Sequence, residues 1–496
     1  MTSANEDGFG RRTVLKQIAT VAGAAPLAPA LISANAASAQ TAPAHGGETN
    51  HETERLATYA VGLRYEDLPP AVVQRAKDCI CDTVAAIIYG AELPWSKMII
   101  AHARRTSAAG KSSILGTGGG PVQAPPAALA NGAMTHAFEL DSLTKPDSGS
   151  HPGATVFTAA LAVAQERGLS GRDLLTAFVA GAESMFRIGH ATKHTNEARG
   201  FHAPGTTGPF GAAVAAGHLM GLDAARMTNA LGVAGSCAGG LLEFAHAGNG
   251  AMVKRLHMGR AAEGGVLAAS LAADGFTGPT SVLEGEYGFL RVFCNDWDVS
   301  ELTRGFGTDY FTLDIMLKRY ACHITAHNPV EATLDLRNEH KFTAADVAAI
   351  TIAGNERMAK TNNIPAPGDM MMAQYSIPFS VALSLHRDPI DPRSFDKSAV
   401  HDRAILDLAS RTKMAVTPGQ DRRNLVVTVT IKLKDGRELS RHVTSFKGTP
   451  ERPLERTELR EKFLLLTQRL GREQMVPLFD RLQAIEHEKT LDWLNV

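Results

Sequence analysis

Four short segments of this sequence combine titratable side chains with glycine, proline or aromatic residues. They are Glu139-Leu140-Asp141 with His151-Pro152-Gly153, Phe201-His202-Ala203-Pro204-Gly205, Lys254-Arg255-Leu256-His257-Met258-Gly259, and Lys318-Arg319-Tyr320-Ala321-Cys322-His323. Each segment lies at the edge of Ala-rich apolar sequence. Carboxylates, imidazoles and ammonium groups that share a pocket can transfer protons and bind an anionic substrate. The set therefore favours an enzyme.

The first segment is predicted to be a helix that runs from Asn131 and ends in two acids. Glu139 and Asp141 lie two positions apart, so on a continuing helix they would point to different faces. Both can reach one pocket only if the helix unwinds there. A solvated helix terminus is the alternative. His151 follows a loop, and Pro152 and Gly153 after it would fix the direction of its ring, although a loop histidine can also be merely solvated.

His202 precedes an Ala-rich helix that is predicted from Gly211, and the free N–H groups of a helix N-terminus suit a carboxylate. The alternative is that His202 only caps or packs. Lys254 and His257 lie three positions apart and would share a helical face, just before a small-residue helix predicted from Ala261. Lys254 is the strongest candidate of all, as the group that binds a substrate carboxylate or donates a proton.

The order and the local sequences of these segments resemble those of the MmgE/PrpD family, which includes 2-methylcitrate dehydratases and cis-aconitate decarboxylases. The resemblance runs from about Thr53 to the C-terminus. The family has aspartate where Glu139 stands and often has Asp-Thr where this chain has Ser142-Leu143. Thr144 could serve instead, displaced by one position. The resemblance implies a catalytic set of Asp141, His151, His202, Lys254 and His257, and a substrate-binding set of Glu139, Thr144, Lys318, His323 and Gln374.

The Lys318 segment has a plainer alternative, in which it is the charged start of a surface helix. Cys322 stands beside His323 and is therefore the thiol to watch among the five cysteines. Their odd number does not indicate a disulfide framework, and their spacing does not suit zinc.

Composition excludes some partners. The chain has 496 residues, 50 basic and 51 acidic side chains, and a net charge of -1, which provides no basic field for nucleic acid. No stretch reaches the roughly 18 uninterrupted apolar residues that a spanning helix needs, so stable membrane insertion is not expected.

Residues 1–39 are predicted to be a twin-arginine-type signal peptide. Arg11-Arg12 precedes a mildly apolar run from Ile18 to Ile32, and Ala37-Ser38-Ala39 offers a cleavage site. The alternative is an Ala-rich tail with a chance arginine pair. The prediction places the mature protein in the periplasm.

Apolar periodicity predicts a mainly α fold. Helical patterns include 71–89, 156–166, 173–189, 211–220 and 261–273. Strands are predicted at 347–353, 424–433 and 438–445, the last two forming a hairpin, with helices again at 458–471 and 473–482. The family layout implies a large all-helical domain (51–313 and 448–496) with an inserted smaller α+β lid domain (314–447), in a homodimer.

The favoured function is a metal-independent, cofactor-free lyase that acts on a small di- or tricarboxylate. Dehydration of a 2-methylcitrate-like acid comes first and decarboxylation second. Asp141 or His151 would transfer a proton, His202 and His257 would give acid/base or polar support, and Lys254 with Lys318 would hold carboxylates. His323 and His327 lie four residues apart but lack the glutamate of a zinc motif. An epimerase with the same groups, or a non-catalytic periplasmic binding protein, remains an alternative.

Overall fold

The computed structural model describes residues 51–144, 148–245, 251–421 and 423–496. The predicted signal peptide lies outside these residues. The contacts place Thr49–Val496 in one compact unit, so the division into a helical domain and a lid stays a prediction.

A mainly α architecture is confirmed. In the first half the elements are α1 Glu52–Gly62, α2 Pro70–Gly90, α3 Pro94–Thr106, β1 Ala109–Ser112, α4 Ala124–Thr135, α5 Thr158–Arg167, α6 Gly171–Ala191, α7 Ala203–Met220, α8 Ala224–Gly235, α9 Val253–Ala273 and α10 Phe289–Phe293. The second half contains α11 His327–His340, β2 Val347–Gly354, α12 Glu356–Thr361, α13 Met370–Tyr375, α14 Ile377–His386, α15 Lys397–Val400, α16 Arg403–Ser410, β3 Thr412–Val416, β4 Val427–Leu433, β5 Glu438–Val443, α17 Arg456–Thr467 and α18 Arg472–Leu482.

Small residues bring the central helices α4, α6, α7 and α9 into close contact. A Cβ atom on Gly259 of α9 would collide with the backbone oxygen of Leu129 on α4. A Cβ atom on Gly132 of α4 would lie 3.0 Å from the Cα of Gly259. The backbones of α4 and α9 therefore touch where the two helices cross, which sets the distance between the side chains they carry.

Three predicted boundaries are wrong, and each error bears on the site. Helix α4 ends at Thr135, before the two acids, and Glu139 has a left-handed φ of 56°. Helix α7 begins at Ala203 rather than Gly211. Helix α9 begins at Val253 rather than Ala261, so Lys254 and His257 lie within its first turns. Buried surroundings lengthen α7 and α9 beyond their Ala-rich parts.

The predicted strands form a four-stranded sheet in the order β3-β2-β4-β5. Strand β2 pairs in parallel with β3 and antiparallel with β4, and β4 and β5 form the predicted hairpin, with Ile431 opposite Leu439. Along β4, Val427, Val429, Ile431 and Leu433 are buried and alternate with more exposed residues, as expected for a sheet with one face on the core.

The last helices pack back on the first ones, because α17 and α18 both contact α2. The backbone N–H of Gly116 also donates to the carbonyl oxygen of Val496 at 2.6 Å. None of the described helices is by itself long and apolar enough to cross a membrane. Helices α2 and α3 meet that test of length and composition only as a pair, which is bent by 96°.

Candidate functional site

Two distant segments of the chain, residues 139–143 and 316–318, pair through their backbones. They are called the floor segments of the site. Leu143 and Met316 exchange two backbone hydrogen bonds of 3.1 and 2.6 Å. This bridge holds the Glu139–Asp141 turn beside the segment that begins at Lys318. Helix α4 has already ended at Thr135, and the left-handed φ of Glu139 turns the chain further, so that Glu139 lines the site and Asp141 lies behind it.

Glu139 lies between two lysines from different segments. Its Oε2 accepts from the Nζ of Lys318 at 2.7 Å, and its Oε1 contacts the Nζ of Lys254 on α9. The three residues are only 2–4% exposed. Burial, together with the ammonium of Lys318, lowers the pKa of Lys254 well below its ordinary value. Burial also lowers the pKa of Lys318. The contacts with the Glu139 carboxylate are of the kind that a bound anion would make, and a lowered pKa makes it easier for either lysine to give up a proton.

Asp141 accepts hydrogen bonds from two imidazoles. Its Oδ2 lies 2.8 Å from Nδ1 of His136 and 2.7 Å from Nδ1 of His151. Burial alone would raise the pKa of Asp141, but the two histidines hold it well below its ordinary value. Burial lowers the pKa of His136. If both Nδ1 atoms donate to Asp141, each Nε2 is left as a base, which is the role that a carboxylate-oriented histidine plays in catalysis.

His202 and His257 form a second imidazole pair, with 3.1 Å between their Nδ1 atoms. Burial lowers the pKa of His202 to about 3 and that of His257 to about 4. His202 is the residue before α7, as predicted, but its side chain makes no capping hydrogen bond. One ring must donate and the other accept, and burial, by lowering both pKa values, favours the neutral form of the pair.

His323 and Tyr375 lie beside the two lysines. The ring of Tyr375 is 4.8 Å from the Nζ of Lys254 and 4.8 Å from the ring of His323. Burial and the charges of Lys254 and Lys318 lower the pKa of His323 well below its ordinary value. The predicted surface-helix alternative for this segment is wrong, because Lys318 and Cys322 are buried and the segment is not helical.

Besides the Glu139–lysine group and the Asp141–histidine group, the site contains a third charged group, to which Arg357 contributes from the sheet-containing part of the chain. Glu197 lies 2.9 Å from Nε2 of His194 and accepts from Arg357 at 2.8 Å. These contacts hold the pKa of Glu197 well below its ordinary value, although burial opposes them. Arg357 on α12 thus joins the β2–α12 region to the helical part.

Most of these groups line one cavity of about 230 Å³. Its charged and titratable lining residues are His136, Glu139, His151, His194, Glu197, His202, Lys254, Lys318, His323, Arg357, Tyr375 and Arg423, and Thr144 also lines it.

Three of the predicted site residues are not part of the lining. Asp141 and His257 lie behind it, each bonded to a lining histidine. Gln374 donates to the carbonyl oxygens of Phe138 and Ala321 at 3.1 and 2.9 Å, so it ties together the segments around the site. The catalytic and binding roles of all ten residues stay predictions.

Sequence reasoning missed several members of the cavity. His136 lies within the helix predicted from Asn131, five residues before Asp141, but was not assigned a role because a lone histidine in a helix gives no chemical signal. His194, Glu197 and Arg357 carry no local signal, because polar loops with such residues are common. Cys322 is buried and does not line the cavity; burial raises the pKa of its thiol to about 12, and its Sγ lies 3.7 Å from Nδ1 of His327.

Three described residues could offer ligands to one metal ion. The nitrogen and oxygen atoms of His136, Asp141 and His151 lie within 4.8 Å of one another. The two Nδ1–Oδ2 distances, at 2.7 and 2.8 Å, are hydrogen bonds, shorter than the ~3.3 Å between ligand atoms around a tetrahedral zinc. The trio fits a hydrogen-bonded unit better than a preformed zinc site. His323 and His327 were not expected to form a metal site, and His327 is a packed histidine, buried against Tyr320 and Phe446.

Two family models match this chain: the MmgE/PrpD N-terminal domain at residues 54–302 and the MmgE/PrpD C-terminal domain at residues 320–481. The chain belongs to the MmgE/PrpD family.

Similar proteins include cis-aconitate decarboxylases. The one from Aspergillus terreus is 34% identical over 303 residues, which cover 58% of this chain and 60% of that protein. The human enzyme is 29% identical over 427 residues, or 83% of this chain and 86% of the human protein. The mouse enzyme is 25% identical over 454 residues, which cover 88% and 91% of the two chains.

Proposed function

We propose that this protein is a lyase that removes carbon dioxide or water from a small di- or tricarboxylate. One observation carries the proposal: the Glu139-bridged lysines and the imidazoles held by Asp141 line or adjoin the same cavity. The lysines supply positive charge for carboxylates, and the imidazoles supply proton transfer. The cavity, at about 230 Å³, is of a size suited to a small acid.

Decarboxylation of a cis-aconitate-like acid is the first reaction to test, because the similar proteins carry that name. In this reaction one carboxylate leaves as carbon dioxide, and its bonding electron pair stays on carbon and takes up a proton. A lysine or histidine that holds a proton near that carbon can supply it. Lys254 is the first candidate donor, because burial lowers its pKa.

Dehydration of a 2-methylcitrate-like hydroxy acid is the second candidate. A base takes a proton beside a carboxylate, and the hydroxyl group leaves with a proton as water. The site offers a separate base and acid for this, since the Asp141-held histidines and Lys254 are bonded independently. His151 is the proposed base, Lys254 the proposed acid, and the neutral His202–His257 pair gives polar support.

The test is turnover by the purified mature protein with cis-aconitate, 2-methylcitrate, citrate and amino-dicarboxylates. Release of carbon dioxide supports decarboxylation, and a new alkene absorbance from a hydroxy acid supports dehydration. NMR in heavy water detects an epimerase, which exchanges a proton without bond loss. Ligand retention without turnover of any of these acids would overturn the lyase assignment in favour of a binding protein.

Metal independence stays a prediction, and the His136–Asp141–His151 trio is the place where it would fail. Dialysis against a strong chelator is expected to leave activity unchanged. Loss of activity that zinc or iron restores would contradict the prediction. The matched variant is His136→Gln, which removes one of the three possible ligands and would then weaken metal retention measured by elemental analysis.

Export to the periplasm is also proposed, supported by Arg11-Arg12 and Ala37-Ser38-Ala39 in the sequence. Both lie outside the described residues. The homodimer expected from the family layout is a proposal of the same kind, and sedimentation of the mature protein tests it.

A further inference from the structure

A buried lysine behind the cavity contacts both segments that form its floor. Lys462 lies on α17 and is only 7% exposed. Its Nζ donates to the carbonyl oxygens of Leu140 and Lys318, at 3.1 and 2.6 Å, and contacts Oδ1 of Asp82 on α2. An ammonium group has three N–H donors, so each of them has a partner here.

The two carbonyl groups lie on or next to charged residues of the site. Leu140 stands between Glu139 and Asp141 in the chain, and Lys318 carries the ammonium that bonds Glu139. The Leu143–Met316 bridge pairs the same two segments farther along. The ammonium of Lys462 therefore joins them at the end that bears the acids and the lysine.

Asp82 is the counter-charge of this buried ammonium. It is 1% exposed and lies on α2, which belongs to neither floor segment. A buried ammonium without a counter-charge would cost several kcal/mol. The Asp82–Lys462 pair is thus electrically neutral, while two of the three donors remain directed at the floor segments.

We propose that Lys462 is a positioning residue, whose ammonium fixes Glu139, Asp141 and Lys318 relative to one another. It does not line the cavity and therefore acts through the backbone. For its kinetic readout the inference rests on the proposed lyase function. A displacement of about 1 Å in a catalytic group can reduce a rate by roughly 10²-fold, so loss of this contact is expected to be visible in kcat.

A purely structural role is the competing explanation, and the chain offers a matched control for it. Lys77 on α2 bonds Glu486 near the C-terminus at 2.8 Å, and the two side chains are 9% and 16% exposed. This pair ties α2 to the C-terminal region as Lys462 does. Among the residues that the structure describes, the pair hydrogen-bonds to neither floor segment, and it does not line the cavity.

The experiment compares the double variant Asp82→Asn/Lys462→Met with Lys77→Met/Glu486→Gln. Each removes one neutral pair without leaving a buried charge. Melting temperature, kcat, KM and the pH profile of kcat/KM are measured for both. We expect both variants to lose some stability, but only Asp82→Asn/Lys462→Met to lose kcat/KM by roughly 10²-fold with an altered pH profile. Similar kinetics in the two double variants would overturn the proposal.

The single variant Asp82→Asn separates the charge pair from the backbone contacts, because it keeps both carbonyl bonds of Lys462. A smaller kinetic loss than in the double variant supports positioning. A loss equal to that of the double variant would assign the effect to Asp82 and overturn the proposal. Because this variant leaves the buried ammonium without its counter-charge, its kinetics are measured well below its own melting temperature.

Binding of tricarballylate, measured by calorimetry, separates failure of this inference from failure of the proposed function. If wild-type protein binds tricarballylate but turns over no acid, the lyase assignment fails while positioning is still tested. In that case Asp82→Asn/Lys462→Met is expected to bind tricarballylate about tenfold more weakly, the effect of one weakened charge-assisted hydrogen bond. Equal affinity in wild type and double variant would overturn the positioning role.

Discussion

Glu139 lies between the Nζ atoms of Lys254 and Lys318, which is the position proposed for a substrate carboxylate. Its two oxygens contact Lys254 and Lys318, so the free protein satisfies its own cations. A substrate carboxylate must therefore share or replace these contacts. The free energy of substrate binding is reduced because an existing ion pair of Glu139 is lost. A substrate with more than one carboxylate can offset this loss through a second contact.

Lys254→Ala is expected to reduce kcat/KM by roughly 10²-fold or more, because a preorganised charge is lost from the cavity. Glu139 keeps its bond to Lys318, so the free energy of unfolding should fall by only about 1–3 kcal/mol. Lys254→Arg should restore activity only in part, since the planar guanidinium has a different shape and does not readily give up a proton. Steady-state kinetics and thermal melts test both variants.

The control for Lys254 is Lys193→Ala. Lys193 pairs with Asp296 at 3.2 Å, and their side chains are 41% and 54% exposed, so the substitution should be nearly silent. Equal activity of wild type and Lys254→Ala, with matching melting temperatures, would remove Lys254 from the site.

The His202–His257 pair is expected to make folding sensitive to acid. The folded protein keeps the pKa values of these rings at about 3 and 4, whereas histidine ordinarily titrates near 6.5. Unfolding therefore takes up protons between about pH 6.5 and 3, and stability is lost as the pH falls through this range. Urea melts of His202→Asn should show a weaker pH dependence than wild type. His442→Asn, at an exposed position on β5, should leave the dependence unchanged.

The crossing of α4 and α9 connects packing to the site at the scale of whole elements. Helix α4 leads into the turn that carries Glu139, and α9 carries Lys254 in its first turn. Gly132 and Gly259 allow the two backbones to touch. The short contact between Glu139 and Lys254 depends on this close approach.

Gly259→Ala is expected to destabilise the fold by about 2–3 kcal/mol, because its Cβ would collide with a backbone carbonyl that cannot turn aside. It should also reduce activity by moving Lys254 away from Glu139. The control is Gly62→Ala, since a Cβ at Gly62 of α1 would meet no atom within 4 Å. A variant Gly259→Ala with the melting temperature of wild type would show that the helices can separate freely.

Helix and strand types could be predicted from apolar periodicity, but the boundaries around the site could not. The Ala-rich parts of α7 and α9 were found, whereas their first turns contain Gly, Pro, Lys and His, which have no apolar period. Burial by neighbouring helices makes these turns helical. Glu139 was expected at a helix end, but only its tertiary contacts reveal the left-handed turn that brings it against two lysines.

At the scale of the whole molecule, the site is assembled from segments that are far apart in sequence. The acids, histidines and Lys254 were found because each stands in a recognisable local pattern. Arg357 and Glu197 were missed because their meaning comes from a contact between residues 160 positions apart. No local pattern contains that information, so the Glu197–Arg357 contact could be recognised only in the folded structure.

Export is the prediction that concerns the full chain. Changing Arg11 and Arg12 to lysine should trap the precursor in the cytoplasm, because the twin-arginine signal depends on both residues. Immunoblots of fractionated cells provide the measurement. Normal processing in cells that lack the twin-arginine translocase would contradict the prediction.

The contact between Asp82 and Lys462 spans 380 residues and has a consequence for biogenesis. At a synthesis rate of about 5–20 residues per second, Lys462 emerges roughly 20–80 s after Asp82. During that interval the carboxylate of α2 has no ammonium partner, and its final packing must wait. The core around α2 therefore stays incomplete during most of translation. This interval gives chaperones time to bind the nascent helices.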